Sequence, residues 1–263
     1  MPDLAASLPS TLRAAARWER LGPAHTPVLL AHPTWSPSEL APVMLWLHGR
    51  TVHKELDPGR YLRWIRQGIG VCAIDLPGHG ERYDHDLQQP DRTLDVILAM
   101  IDEIDDIVTA LRDFHVFDPD RIGIGGMSAG GMATLARLCR PHGFVCAAVE
   151  ATTGSWEHQE HREMFRHRPD AEVAPRDPIR HLEHWREIPL QAIHGRYDEW
   201  IDVAGQRLFI ESLRGRYRDP ELIEYIEYDR TGAPFEHAGF GKYAADAKNR
   251  QRDFLVRWLR GEG

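Results

Sequence analysis

Arg121-Ile122-Gly123-Ile124-Gly125-Gly126-Met127-Ser128-Ala129-Gly130-Gly131-Met132 passes from an apolar β-rich run through a glycine-punctuated turn into a helical pattern that lasts to Arg140. Its centre, Gly126 to Gly130, fits G-x-S-x-G, and the strand before it and the helix after it make the pattern informative. A serine on so sharp a strand-to-helix turn takes strained backbone angles. Side chains two residues to either side would collide there, which is the physical reason for the flanking glycines. The turn then presents the hydroxyl at a helix N-terminus. A serine hydroxyl is a poor nucleophile until a base takes its proton and a third group orients that base. The rest of the chain must therefore supply a histidine and an acid.

Working outward, short β-rich runs alternate with helical periodicities from Val43 onward, the mark of βαβ units and a mostly parallel sheet. Strands are expected at Val43–Leu47, Gly70–Asp75, Arg121–Gly125, Val145–Glu150, Leu190–His194 and Ile223–Tyr228. Ile97, Ile101, Ile104, Val108 and Leu111 recur at helical spacing within Leu94–Phe114, which predicts a sheet-covering helix. Further helices are expected at Ala129–Arg140, Val203–Arg214 and Lys242–Arg260. The pattern predicts one α/β domain over 1–263, a mostly parallel central sheet with helices on both faces. Residues 1–42 read as a lead-in with a short helix around Thr11–Arg20 and an edge strand at Val28–His32, made irregular by seven prolines. Residues 151–188 break the alternation with His, Arg and Glu and with Pro169, Pro175 and Pro178. They read as a short helical cap inserted over the sheet, long enough for two short helices.

The loop after Leu190–His194 offers Asp198, with Glu199 and Asp202 close by, at the strand end where open α/β sheets keep their ligands. After the last strand comes Phe235-Glu236-His237-Ala238-Gly239, and His237 alone among 15 histidines follows that strand in a glycine-flanked loop. The chain order is then serine, acid, histidine. With these residues the chain resembles the α/β-hydrolase superfamily, whose nucleophile, acid and histidine follow in that order. Leu47-His48-Gly49-Arg50 and Asp75-Leu76-Pro77-Gly78-His79-Gly80 match its loops after the first two central strands, and the resemblance spans residues 43–260. Within the superfamily it is most similar to the small serine esterases grouped with dienelactone hydrolases and the catalytic domains of prolyl oligopeptidases, with Ser128 where dienelactone hydrolases carry Cys.

The resemblance implies a triad of Ser128, Asp198 and His237. It also implies an oxyanion hole formed by the backbone N–H groups of Ala129 and Arg50. Hydrolysis of a small carboxylic ester through an acyl-enzyme follows, without a cofactor or metal. The alternatives are a peptidase or thioesterase with the same triad, or a non-catalytic protein of this fold that binds a small ligand. Met127, Trp156, Phe165 and Trp185 are candidate pocket residues, the three aromatics being equally readable, with Met164, as the cap's own core. His48, His79 and His194 read as supports of their turns. The pairs His158/His161 and His181/His184 read as solvated helix faces.

Composition narrows the partners. Lys+Arg of 32 against Asp+Glu of 40 gives a net charge of −8, which leaves no basic field for nucleic acid. No run approaches the roughly 18 apolar residues of a membrane span, and the N-terminal stretch has no apolar core of a secretory signal. The sequence thus predicts a cytoplasmic enzyme with a small-molecule ester substrate, no nucleic acid and no membrane partner, and leaves a homo-oligomer open. Cys72, Cys139 and Cys146 sit in apolar context and read as small buried hydrophobes.

Overall fold

A computed structural model describes residues 6–261 of the 263. Eight strands form one sheet: β1 (Ala16–Leu21), β2 (Thr26–Ala31), β3 (Ala41–Leu47), β4 (Gly70–Ile74), β5 (Phe117–Met127), β6 (Cys146–Glu150), β7 (Leu190–Gly195) and β8 (Ile223–Tyr228). Their order is β1-β2-β4-β3-β5-β6-β7-β8. The pairs β1/β2 and β2/β4 are antiparallel, and from β4 to β8 every neighbour is parallel. The helices are α1 (Ser10–Ala15), α2 (Pro58–Ile65), α3 (Thr93–Leu111), α4 (Ala129–Leu138), α5 (Asp170–Val173), α6 (Val203–Arg214) and α7 (Ala244–Leu255).

Strand β3 shows why the sheet sits in the middle. All seven of its residues are buried, because a parallel strand covered on both faces has no solvated side. Its side chains alternate between two cores. Val43, Leu45 and Leu47 join α3 and α4 on one face, and Met44 and Trp46 join Leu12, Tyr61, Trp64 and Phe254 from α1, α2 and α7 on the other. The chain leaves β3 first for β4 on one side and later for β5 on the other. The carboxyl ends of β3 and β5 thus flank the crevice where such sheets bind ligands.

The six strands expected from Val43 onward are all present, within a few residues at their ends. The N-terminal segment differs from the sequence reading. The expected helix over Thr11–Arg20 stops at Ala15, and Ala16–Leu21 instead pairs along its whole length with β2, so that β1 rather than Val28–His32 is the edge strand. Backbone pairing available in the sheet overrides the helix propensity of an Ala- and Arg-rich run. The helix α2 was not expected. Its signal is Asp57-Pro58, with Pro at the first helical position, and it buries Tyr61 and Trp64.

Residues 151–188 are less helical than two helices would require. They contain only the single-turn α5 and 3₁₀ turns at Glu157–Gln159 and Pro178–His184, because each proline lacks the N–H of a continuing helix and disfavours helix in the residue before it. The segment is pinned instead by Asp177, 1% exposed, whose Oδ1 accepts the Trp156 N–H at 3.1 Å. Burial pushes this carboxyl up to about 6, against the opposing effects of the Trp156 N–H and of Arg180. A carboxyl held above its unfolded value of about 4 favours folding while protonated. That contribution is complete below about pH 4 and is lost as the pH rises through 6, at a cost on the order of 3 kcal/mol. Asp177→Asn keeps the acceptor and removes the charge. Its melting temperature should exceed that of the unaltered protein clearly at pH 8, by about half as much at pH 5 and little at pH 4; an equal difference at pH 8 and pH 4 would show that the carboxyl is not the cause.

Candidate active site

The turn after β5 is built as its glycines require. A Cβ on Gly126 would lie 2.6 Å from the Leu47 carbonyl oxygen, and one on Gly130 would lie 2.3 Å from the same atom. Both contacts are with backbone, so neither can yield. Ser128 takes φ 53° and ψ −120°, a strained conformation for a side chain with a Cβ. It is held there by its N–H, which donates to the Glu150 carbonyl at 3.0 Å, and by its carbonyl, which accepts from Thr152 Oγ1 at 2.9 Å. Ala129 opens α4, so its N–H belongs to the free donors of a helix start.

The loop after β3 crosses directly over this turn, with the Cβ position of Gly49 only 3.4 Å from Ser128 Cβ. Arg50 follows. His48 supports the loop, as its place before a glycine suggests, with Nε2 accepting the Leu76 N–H at 3.1 Å. His79 is likewise buried against its own turn, Nδ1 lying 2.8 Å from the Pro77 carbonyl.

Asp198 and His237, 39 residues apart, meet beside this turn: His237 Nδ1 donates to Asp198 Oδ2 at 2.8 Å. The carboxylate is fully buried and the imidazole nearly so, at 0% and 3% exposure. Asp198 Oδ1 accepts the N–H groups of Trp200 and Ile201, each at 2.8 Å. Of the rival acids, Asp202 caps α6 through the Ala204 N–H and Glu199 is exposed. His194 goes beyond the turn support expected of it. Its Nε2 lies 3.3 Å from Asp198 Oδ2 and 3.1 Å from the Ile201 carbonyl, two acceptors that place its proton on Nε2. Burial alone would raise the Asp198 carboxyl, but the hydrogen bonds and charge of His194 and His237 outweigh it and hold the group at about 2. Asp198 is therefore ionised at neutral pH.

Ser128 and His237 line one cavity of about 710 Å³, together with Gly49, Arg50, Ala129 and Met127. Its apolar wall adds Val52, Leu56, Met132 and Met164. Trp200 closes the rim, its ring 5.0 Å from both Phe235 and His237. Of the four pocket candidates only Met127 lines the cavity. Trp156, Phe165 and Trp185 pack inward: Trp156 is fully buried 5.8 Å from Phe165, and Trp185 stands edge-on to Phe209 of α6. A segment with so few helical turns uses its aromatics to anchor itself to the sheet, and Met164 alone of the group reaches the wall.

The site also contains a charged cluster that sequence reasoning missed. Arg60 of α2 grips Glu150 bidentately, 2.7 Å for each bond, and reaches Asp57 at 2.9 Å; Lys248 of α7 holds the other oxygen of Asp57 at 2.8 Å. All four line the cavity. The only sequence signal was a glutamate ending an otherwise apolar strand. Elsewhere, His181, Glu183 and His184 bring one ligand atom each within 4.8 Å of one another on an outer face, although His181 Nε2 is already bonded to the Ala174 carbonyl at 2.8 Å. No helix among the described residues is long and apolar enough to cross a membrane.

Comparison with known proteins bears on this geometry. The model of the prolyl oligopeptidase family matches residues 61–262. The chain is 24% identical to the putative esterase YitV of Bacillus subtilis over 208 residues, 70% of this chain and 80% of that protein. It is also 24% identical to the esterase YjfP of Escherichia coli over 213 residues, 76% of this chain and 85% of that one. Among solved structures, a puromycin-hydrolyzing peptidase of Mycobacterium tuberculosis matches 97% of the chain with a TM-score of 0.74 and 21% identity, although the chain spans only 42% of that peptidase. TT1662 from Thermus thermophilus matches with a TM-score of 0.72 and 22% identity, covering 94% of this chain and 99% of that one.

Proposed function

This chain belongs to the prolyl oligopeptidase family and has the α/β-hydrolase fold, and from that premise we propose that it is a serine hydrolase cleaving small carboxylic esters through an acyl-enzyme on Ser128. The observation that carries the reading is the 2.8 Å bond from His237 Nδ1 to a buried Asp198, with His237 and Ser128 on the wall of one cavity. The esterases among its relatives agree with it.

In this mechanism His237 Nε2 takes the proton of Ser128 Oγ as the oxygen attacks the ester carbonyl. Asp198 keeps the accepting nitrogen free by holding the proton on Nδ1. The N–H groups of Ala129 and Arg50 receive the oxyanion; among the described residues nothing accepts from the Arg50 N–H, and each such donor is worth about 2.7 to 4 kcal/mol. Protonated His237 then gives its proton to the departing alcohol. A water activated by the same histidine releases the acid from Ser128. Residues 151–188 act as a cap that contributes Met164 and its neighbours to one wall.

A p-nitrophenyl series from acetate to palmitate tests both the activity and the pocket. Turnover should be highest for acyl groups of roughly two to six carbons. Each further methylene gains about 0.8 kcal/mol only against an apolar wall, and a long chain would run onto charged groups such as Glu150 and Asp57. A maximum at about ten carbons would refute the short-chain preference. Hydrolysis of matching p-nitroanilides or thioesters with no turnover of any ester would replace the esterase reading by a peptidase or thioesterase one.

A further inference from the structure

The charges on the cavity wall do not cancel. Arg60, Lys248, Asp57 and Glu150 form a neutral set whose members hold one another. Arg50 and Arg162 also line the cavity but are tethered differently. Arg50 Nη2 donates to the Gln88 carbonyl and Arg162 Nη2 to the Glu199 carbonyl. A carbonyl positions a guanidinium without neutralising it. In both residues Nε has no hydrogen-bond partner, and among the described residues neither guanidinium forms an ion pair. The remaining wall carboxylate, Glu163, and Asp91 from outside the wall act on Arg50 through space without pairing with it. A protein of net charge −8 thus keeps two half-buried guanidiniums without an ion-pair partner on the wall of the cavity that holds Ser128 and His237. Arginines held in place with donors to spare are suited to a carboxylate, which a guanidinium binds through paired charge-assisted hydrogen bonds.

We propose that the preferred substrates are esters bearing a free carboxylate, with Arg50 and Arg162 binding that anion while Ser128 attacks the ester carbonyl. The inference rests on the esterase reading and adds the substrate class. One of the two arginines directly follows the loop that crosses Ser128, which favours an anion carried on the acyl side. This suits a short acyl chain ending in a carboxylate, that is, a monoester of a dicarboxylic acid.

The test compares free acids with their methyl esters: 4-nitrophenyl hydrogen glutarate against 4-nitrophenyl methyl glutarate, and 4-carboxyphenyl acetate against its methyl ester, which moves the anion to the alcohol side. The acid of the glutarate pair should have a kcat/KM about tenfold above its neutral partner. The ratio should fall toward one in Arg162→Met and recover in part in Arg162→Lys, and it should shrink as salt rises from about 0.02 to 0.5 M. Because the readout is a ratio within each variant, a general loss of activity cancels. Free glutarate should raise the melting temperature of the unaltered protein more than butyrate does, and should do so less in Arg162→Met. Equal kcat/KM within both pairs, or a preference that survives in Arg162→Met, overturns the proposal, and a preference confined to the acetate pair overturns the acyl-side placement. Failure of every ester, 4-nitrophenyl butyrate included, would instead remove the esterase reading, and the glutarate melting shift would then decide anion binding by itself.

Discussion

Ser128→Ala is expected to lower kcat for ester hydrolysis by on the order of 10³-fold or more while leaving the fold unchanged. The loss should be large because in the proposed mechanism Ser128 Oγ is the atom that forms the acyl-enzyme. The fold should survive because the turn is held by the Ser128 backbone, through Glu150 and Thr152, and none of the described hydrogen bonds uses the hydroxyl. Alanine at φ 53° carries the same strain that serine already carries there. A fluorophosphonate should label the unaltered protein at Ser128, and His237→Ala should slow that labelling because the hydroxyl loses its base. Full turnover by pure Ser128→Ala protein, or a label mapped to another serine, would end the mechanism.

Which parts of this site were legible in the sequence follows from how local each constraint is. Gly126 and Gly130 announce Ser128 because the pattern they form with it is complete within five residues, although the backbone that leaves no room for their Cβ atoms includes that of the distant Leu47. Asp198 and His237 were legible by position, as each follows a recognisable strand in the order that the resemblance supplies. The partners of Asp198 were less so: His194 lies four residues away and looks like any histidine before a glycine, and only the folded loop turns its Nε2 onto the carboxylate. The pairing of Arg60 with Glu150 spans 90 residues and two elements, and no periodicity encodes it. The cap aromatics were ambiguous for a related reason. A Trp in a polar segment gains by burying its ring, but whether against the sheet or against a substrate depends on the path of the segment. That path is set by Pro169, Pro175 and Pro178 and by the buried Asp177. The edge strand β1 was hidden because pairing with β2, rather than its own composition, makes it a strand.

Arg60→Met should destabilise the protein by about 3–5 kcal/mol, the range for breaking a buried ion pair by removing one partner. Arg60 is 4% exposed and Glu150 is 1% exposed. Burial opposes the Arg60 charge, and Glu150 and Asp57 more than offset it. Its guanidinium also lies 4.2 Å over the Trp46 ring, a contact that Met can partly replace, so the loss is mainly that of the charge facing Glu150. What remains is a carboxylate at the end of β6 with, among the described residues, only the Gln251 amide at 3.3 Å to donate to it. That carboxyl should then be pushed up in the folded variant. A folded value above the unfolded one makes stability fall as pH rises, so urea unfolding should show a larger deficit at pH 8 than at pH 5. Adding Glu150→Gln to Arg60→Met should recover much of the loss, because no buried charge is left unpaired. Catalysis should suffer with stability in the single variant, since the carbonyl of Glu150 is what the Ser128 N–H donates to. An Arg60→Met protein within about 1 kcal/mol of the parent at pH 8, or a double variant less stable than the single one, would mean that packing around Trp46, and not the ion pair, holds this side of the cavity.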